Sequence, residues 1–172
     1  MVENINNLKL GIINLFRSNY FNQFYIREMA KLIGKSHVSL LSHLKSFEKD
    51  KILISKNIGK SKVYSLNLDN NQVREFLSLS EKKETLILLN KEFLIKKLYD
   101  EFLNLNLNGC LILFGSYASL THTKESDIDL LYIGEIKEIE KKKIKQFGKI
   151  YNKEIHLVYM TLNQFKEQLS KQ

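Results

Sequence analysis

The sequence contains no proline, no tryptophan and a single cysteine among its 172 residues. One cysteine excludes a disulfide within the chain and any zinc site built from several cysteines. Without proline, no linker is stiffened by a fixed backbone angle. No apolar stretch approaches the ~20 residues that cross a bilayer, and the N-terminal stretch VENINNLKLG lacks a signal-peptide pattern. These absences predict a soluble, cytoplasmic protein without a membrane partner.

The composition predicts a folded protein whose first half is basic. Hydrophobic residues make up 44% of the chain, which is enough for a core, and the length of 172 residues permits one domain or two small ones. Residues 1–80 hold 12 lysines and arginines against 6 acidic residues, whereas residues 81–172 hold 15 against 13. This asymmetry favours nucleic acid as a partner of the first half. A general richness in lysine would produce the same numbers, so composition leaves both explanations open.

Hydrophobic spacing in the N-terminal half predicts three helices and a hairpin. Apolar residues recur at helical spacing over residues 4–18, over YIREMAKLIG with Gly34 as its stop, and over the stretch that follows Ser36. Ser36 suits the N-cap of the third helix. The core-facing stripe of that helix is predicted to be Leu40, Leu44 and Phe47. Two short strands are predicted on either side of the turn Gly59-Lys60-Ser61.

Three helices followed by a hairpin, with a glycine turn between the second and third helices, resemble a winged helix-turn-helix domain. The stretch from Tyr25 to Asn67 carries this resemblance. It implies that the third helix enters the major groove of DNA and that the hairpin wing touches phosphates. The residues then expected at DNA are Ser36, Val38, Ser39, Ser42 and Lys45 on the helix, with Ser46 at its margin, and Lys56, Lys60 and Lys62 on the wing.

The predicted reading face contains no Arg, Asn or Gln, the side chains best suited to bidentate base contacts. Sequence specificity would therefore rest on DNA shape and serine contacts, and binding through phosphates would depend strongly on salt. The alternative is a winged helix used for contact with another protein or for a homodimer. The basic wing favours DNA over that alternative.

A domain boundary is predicted near residue 70. It separates a winged-helix domain over 1–70 from a second domain over 71–172. Residues 69–80 have the pattern of an amphipathic link, and the spacing then predicts one long helix from about Glu81 to Leu103.

The rest of the chain alternates between strand-like and helix-like segments, which predicts a small α/β sheet. The segments are strand CLILF, turn GSYASL, loop THTKES, strand DIDLLYI, a helix from about Glu135 to Phe147, strand EIHLVYM, and a last helix capped by Thr161. Cys110 adjoins the apolar run LILF, which predicts a small buried side chain rather than a reactive thiol.

Two aspartates stand in one of these predicted strands with a single residue between them. Residues i and i+2 of a strand face the same side, so Asp127 and Asp129 project together and repel each other unless a cation lies between them. Mg²⁺ takes few protein carboxylates and completes its shell with water and substrate phosphates. Gly115 lets the backbone approach a phosphate, and Ser116 adds a hydroxyl at a helix start. The pattern predicts a nucleoside triphosphate held with Mg²⁺ or Mn²⁺.

LFGSYA followed by SDIDLL resembles the nucleotidyltransferase fold of the DNA polymerase β superfamily, and its minimal nucleotidyltransferase group in particular. The resemblance covers about residues 82–165. It implies transfer of a nucleoside monophosphate from an NTP, with ATP expected, to a hydroxyl of a protein or nucleic acid. Asp127 and Asp129 would be catalytic metal ligands, and Gly115 and Ser116 would bind the nucleotide. Proteins with a winged helix fused to this domain occur in archaea and bacteria.

The chain departs from the pattern of that family at two places. At the position on the next strand where the family usually has a third carboxylate, this chain has His156. Glu154 lies two residues earlier on the same face. Either residue could complete the catalytic set, or both could be ordinary strand and surface residues. The Arg-Gly that usually follows Gly-Ser-x-Ala is Ser119-Leu120, so Lys124 or His122 would have to neutralise phosphate instead.

Three functions remain open at the level of sequence. The first is a metal-dependent nucleotidyltransferase tethered to DNA. The second is a DNA-binding transcriptional regulator whose second domain is catalytically weakened or inactive. The third is an antitoxin paired with a helical ribonuclease toxin, which the resemblance to minimal nucleotidyltransferases implies.

Overall fold

The computed structural model of the chain describes residues 7–171. Residues 4–6 of the first predicted helix, including Ile5, lie outside this range. The chain divides into two compact units, Met1–Ile87 and Leu88–Gln172. Each unit has its own cluster of buried hydrophobic side chains, so each has the core that a domain requires.

The described part of the first unit is built from helices and a small antiparallel sheet. Its elements are α1 (Asn7–Asn14), β1 (Phe24–Tyr25), α2 (Ile26–Ile33), α3 (His37–Lys49), β2 (Leu53–Ile58), β3 (Ser61–Leu66) and α4 (Asn71–Lys91), which continues into the second unit. The strand order is β1-β3-β2, with both pairs antiparallel. Helices α1 to α3 followed by the β2–β3 hairpin form a winged helix-turn-helix, which confirms the predicted fold of this part.

The turn between α2 and α3 has the signals that the sequence predicted. Gly34 ends α2 in the left-handed conformation, with φ at 68°. The Ser36 hydroxyl caps α3 by accepting the backbone N–H of Ser39. The predicted core stripe of α3 is confirmed, since these side chains have no exposed surface: Leu40, Leu44 and Phe47.

The prediction of one helix from about Glu81 to Leu103 is wrong at its start and in its continuity, whereas its end agrees with the structure. Helix α4 begins at Asn71 and ends at Lys91, and the next helix begins at Phe93. The break is at Glu92, whose φ of −107° and ψ of 94° are extended. The start of α4 belongs to the first unit because Val73 and Leu77 are buried in its core.

The second unit contains a three-stranded mixed sheet and helices, within the described range. Its elements are the end of α4, α5 (Phe93–Asn104), β4 (Gly109–Phe114), α6 (Gly115–Ala118), β5 (Ile128–Gly134), α7 (Glu138–Ile150), β6 (Ile155–Met160) and α8 (Leu162–Leu169). The strand order is β4-β5-β6, with β4 antiparallel and β6 parallel to β5. The predicted α+β class, with a small mixed sheet in the second part, is confirmed.

One face of this sheet packs on the helices. Ile128, Leu130 and Tyr132 of β5 are buried, and the first two share a cluster with apolar side chains of α5 and α7. The prediction that Cys110 is buried is wrong, because Cys110 is exposed. Successive residues of a strand face opposite sides, and it is Leu111 and Leu113 of β4 that pack against this core. No helix within residues 7–171 is long and apolar enough to cross a membrane.

Candidate active site

The turn from β4 into α6 brings the backbone of Gly115 against an aspartate. Gly115 has φ at 69°, a conformation that other residues adopt at a cost. A Cβ atom at this position would lie 2.2 Å from Oδ2 of Asp129. A side chain at residue 115 would therefore displace the carboxylate of Asp129, and the positive φ would add backbone strain.

Strand register places Asp129 at the centre of the site. Asp129 is paired with Phe114 of β4 on one side and with His156 of β6 on the other. Asp127 lies one residue before β5, and the strand begins with the N–H of Ile128 donating to the carbonyl of Glu154 at 2.9 Å. Because Ile128 is fully buried, its two neighbours point away from the core.

The imidazole of His156 contacts three carboxylates. Its Nε2 lies 3.1 Å from Oε1 of Glu154 and 4.0 Å from Oδ2 of Asp127, and its Nδ1 lies 3.6 Å from Oδ1 of Asp129. Among the described residues, these are the ion pairs that the three carboxylates make. Three acidic groups are thus matched by one titratable base, which leaves net negative charge whether or not His156 is protonated.

The charge of this cluster favours the protonated form of His156. The hydrogen bond to Glu154 is the largest cause that raises the pKa of His156, and the charges of Glu154, Asp127 and Asp129 act in the same direction. Partial desolvation opposes them, but the resulting pKa lies above the ordinary value for histidine.

The donor set of the cluster fits a divalent cation. Asp127, Glu154 and His156 each offer a ligand atom, and these atoms lie within 4.8 Å of one another. Donors around one metal at about 2.1 Å lie roughly 3 to 4 Å apart, so a small contraction is sufficient. The side chains of Asp127 and His156 are 42% and 52% exposed, which leaves room for water and substrate oxygens on the cation.

Lys153 is a residue of this site that the sequence analysis missed. Its ammonium donates to the carbonyl oxygens of Lys124 and Ser126, and the second of these bonds is 3.1 Å long. These two carbonyls belong to the loop that leads directly into Asp127. Lys153 therefore ties the loop to the segment before β6, and no sequence motif signals a lysine that binds backbone carbonyls.

A basic concavity borders the cluster. A cavity of about 520 Å³ is lined by Glu154 together with Lys145, Gly148, Lys149, Asn152, Lys153 and Ile155. The exposed lysines Lys145 and Lys149 lie one helical turn apart on α7. They place positive charge beside the acidic cluster, on the side where Glu154 stands.

The two residues expected to replace the family's arginine lie around a different cavity. His122 stacks on Tyr117 with ring centroids 4.0 Å apart, and its Nε2 lies 3.3 Å from Glu92. A cavity of about 470 Å³ is lined by His122 and Tyr117 together with Thr123, Lys124 and Lys153. His122 is therefore occupied by Glu92, and a role for it or Lys124 at phosphate stays a prediction. Ser116 is half-buried in the first turn of α6.

The residues of α3 predicted to meet DNA are largely exposed, and two of them also form hydrogen bonds at the start of the helix. Val38 is 63% exposed on α3, and Ser42 and Lys45 are exposed beside it. Two serine hydroxyls form hydrogen bonds at the start of α3. The Ser36 hydroxyl caps the helix, and the Ser39 hydroxyl donates to the Ser36 carbonyl at 2.7 Å.

Ser46 is engaged at the other end of α3. Its hydroxyl accepts from the ammonium of Lys9 at 3.1 Å and lies 3.4 Å from the carboxylate of Asp50. The group is therefore held by α1 and by its own helix.

All three predicted wing lysines are exposed, and one of them is paired with an acidic side chain. Lys56 and Lys60 are exposed on the β2–β3 hairpin, with Lys60 in the turn after Gly59. The ammonium of Lys62 lies 2.6 Å from the carboxylate of Glu48, which raises the pKa of Lys62 through that hydrogen bond. Lys62 is therefore paired within the unit, whereas Lys56 and Lys60 extend the basic surface of the wing.

The motif, the mixed sheet and the clustered acids all lie in the part of the chain that a family model matches. Residues 95–172 match a family model described as "Nucleotidyltransferase domain". The match spans somewhat less than half of the chain and contains β4 to β6 and every residue of the acidic cluster. The second unit therefore carries a nucleotidyltransferase domain. No curated protein matches the chain.

Several solved structures are similar to part of this chain. HlyU from Vibrio cholerae has 18% identity, covers 45% of this chain and 76% of its own, and gives a TM-score of 0.38. MepR, a regulator of the multidrug efflux pump MepA of Staphylococcus aureus, has 15% identity, coverages of 50% and 65%, and a TM-score of 0.41. AdcR, the adhesin competence repressor of Streptococcus pyogenes, has 18% identity, coverages of 60% and 80%, and a TM-score of 0.42. These are distant likenesses, and the winged-helix description rests on strand order and helix order instead.

Proposed function

We propose that this protein transfers a nucleoside monophosphate from an NTP, ATP first among them, to a hydroxyl of a protein or nucleic acid. The observation that carries the proposal is the cluster of Asp127, Asp129, Glu154 and His156 beside the glycine turn at Gly115. Its net negative charge suits a divalent cation, and the exposed donors suit one that also holds substrate phosphate.

The residues of the cluster have separable roles in this proposal. Asp127 and Asp129, with Glu154 or His156, would hold Mg²⁺ or Mn²⁺. When bound, the cation would neutralise charge on the phosphates that develops during transfer. Gly115 keeps the space beside Asp129 open, and its turn together with Ser116 would receive the phosphates.

The transfer forms one bond and breaks one bond at the α-phosphorus. The acceptor oxygen bonds to the α-phosphorus, the bridge between the α- and β-phosphates breaks, and pyrophosphate leaves with the bonding electron pair. The hydroxyl proton must go to a base. Glu154 lies at the open side of the cluster and has a second carboxylate oxygen besides the one that faces His156, so Glu154 is the residue proposed to accept it.

Release of pyrophosphate from NTPs tests this proposal in the full chain. The wild-type protein is incubated with each NTP, Mg²⁺ or Mn²⁺, and acceptors that include itself and RNA. Asp127→Asn should lower the rate by at least about a hundredfold, because one donor is lost. Asp100→Asn, an exposed aspartate of α5, is the matched control and should leave the rate unchanged. Equal rates in the wild type and Asp127→Asn would contradict the proposal.

A second proposed function is binding to DNA through the first unit. It is supported by the exposed surface of α3 and by exposed lysines of the wing, Lys56 and Lys60 among them. With this unit on DNA, the second unit would act as a tethered enzyme or, if it does not catalyse, as the sensing part of a transcriptional regulator. A gel shift with genomic fragments tests DNA binding directly, and failure to retard any fragment at low salt would remove it.

A narrower form of the proposal concerns the acceptor. The resemblance to minimal nucleotidyltransferases implies an antitoxin that modifies a helical ribonuclease toxin. Adding the product of a neighbouring gene to the labelled-nucleotide assay tests this form. Label on that product, absent with Asp127→Asn, would support it, and label on RNA alone would count against it.

A further inference from the structure

The acidic cluster contains a nitrogen donor where an all-oxygen site would serve Mg²⁺ better. His156 stands opposite Asp129 in the parallel register of β5 and β6. Its position is therefore set by the sheet, and the ring is directed among the carboxylates of Asp127, Asp129 and Glu154 at 3.1 to 4.0 Å. A cation bound between these carboxylates would therefore lie next to the His156 ring.

Three donors whose ligand atoms lie within 4.8 Å of one another are of mixed type. They are two carboxylates, from Asp127 and Glu154, and one imidazole, from His156. Mg²⁺ prefers oxygen ligands and retains its water reluctantly. Imidazole nitrogen suits first-row transition metals, whose affinity for a nitrogen–oxygen site rises from Mn²⁺ through Co²⁺ and Ni²⁺.

We propose that Asp127, Glu154 and His156 form a mixed nitrogen–oxygen site that takes first-row transition-metal dications in preference to Mg²⁺. The inference rests on the proposed function in placing the metal at the same cluster, and it adds the class of metal. His156 is then a metal ligand, so replacing it with an oxygen ligand changes which metal binds.

Binding of Mn²⁺ and Mg²⁺ to the full chain tests the inference without a measurement of activity. Free Mn²⁺ is counted by electron paramagnetic resonance, and Mg²⁺ is then added as the competitor. The wild type should bind Mn²⁺ at least about tenfold more tightly than Mg²⁺. His156→Asp should lower this ratio by about tenfold or more, because the site becomes all-oxygen.

Two further variants keep this test decisive. His156→Gln removes the ring nitrogen without adding a charge, and it replaces His156→Asp in the test if that variant does not fold. It should also weaken Mn²⁺ binding. His37→Asp, at an exposed histidine of the first unit, is the matched control and should leave the ratio unchanged. In the wild type, Mn²⁺ should also broaden the NMR signals of the His156 ring.

The outcomes separate this inference from the proposed function. Equal affinities for Mn²⁺ and Mg²⁺, an unchanged ratio in both His156 variants, or no metal binding at all would overturn the metal preference. Pyrophosphate release that proceeds equally with either metal would then still support the transferase. Selective Mn²⁺ binding without any transfer would contradict the transferase and leave the metal site in place.

Discussion

At the scale of single residues, Gly115 places the turn after β4 directly against Asp129 of the acidic cluster. Gly115→Ala should reduce metal binding and transfer by about tenfold or more, since its Cβ would lie 2.2 Å from Oδ2 of Asp129. Calorimetric titration with Mn²⁺ measures the loss, and circular dichroism checks that the fold is kept.

Gly59 provides the control for that substitution. It also has a positive φ, at 59°, but a Cβ there meets nothing within 4 Å. Gly59→Ala should therefore cost only the backbone strain, about 1 kcal/mol of stability, with metal binding unchanged. Equal metal affinity in Gly115→Ala and the wild type would show that Asp129 moves freely and that the glycine has no role at the site.

The carboxylates around His156 predict how this histidine is protonated in the metal-free protein. Its pKa should lie above the ordinary histidine value, chiefly because Glu154 accepts its hydrogen bond. Glu154→Gln should lower this pKa, and NMR titration of the ring signals measures both values. Since the folded-state pKa is raised, the contribution of His156 to stability is present below its unfolded-state pKa and is lost as pH rises through the folded-state value. An unchanged pKa in Glu154→Gln would contradict this cause.

At the scale of elements, one lysine ties the loop before β5 to the segment before β6. Lys153→Met keeps the length of the side chain but removes its bonds to the carbonyls of Lys124 and Ser126. Hydrogen exchange of the amides in residues 123–127 should become faster, and Mn²⁺ binding should weaken with it. Lys149→Met removes the same charge from the neighbouring cavity and should leave exchange in this loop unchanged. Equal exchange in both variants would mean that the loop is held by other contacts.

The elements that the sequence predicted correctly are those with strong local signals. Ser36 and Gly34 have cap chemistry, and the apolar stripe of α3 has a clear helical period. Likewise the motif around Asp127 and Asp129 predicts a shared side of the strand from its spacing alone. The roles of these residues at a metal or a nucleotide stay predictions.

Other features have no local signal and could not be predicted. The break at Glu92 interrupts a continuing helical pattern without proline or glycine, and β1 is only two residues long. The exposure of Cys110 depends on which side of an edge strand meets the helices. The bonds of Lys153 join segments that are far apart in the sequence, so they appear only when the chain is folded.

At the scale of the whole molecule, a unit with a basic wing and a unit with an acidic cluster share one chain. The first should bind DNA mainly through phosphates. The double substitution Lys56→Gln and Lys60→Gln should weaken binding and reduce the slope of log affinity against log salt by roughly two. Fluorescence anisotropy over a salt series measures the slope. As the control, the double substitution Lys142→Gln and Lys143→Gln removes two exposed charges from the second unit, and it should leave the slope unchanged. Equal slopes in the wing variant and the wild type would place the DNA contact elsewhere.

The central claim concerns the chemistry of the second unit, and the position of a label in ATP tests it most directly. The full chain is incubated with Mn²⁺ or Mg²⁺, an acceptor mixture, and ATP labelled at either the α- or the γ-phosphate. Transfer of a nucleoside monophosphate predicts that only the α-label becomes covalently attached, that the γ-label leaves as pyrophosphate, and that Asp129→Asn abolishes both. Attachment of the γ-label, or α-label transfer that persists in Asp129→Asn, would contradict it.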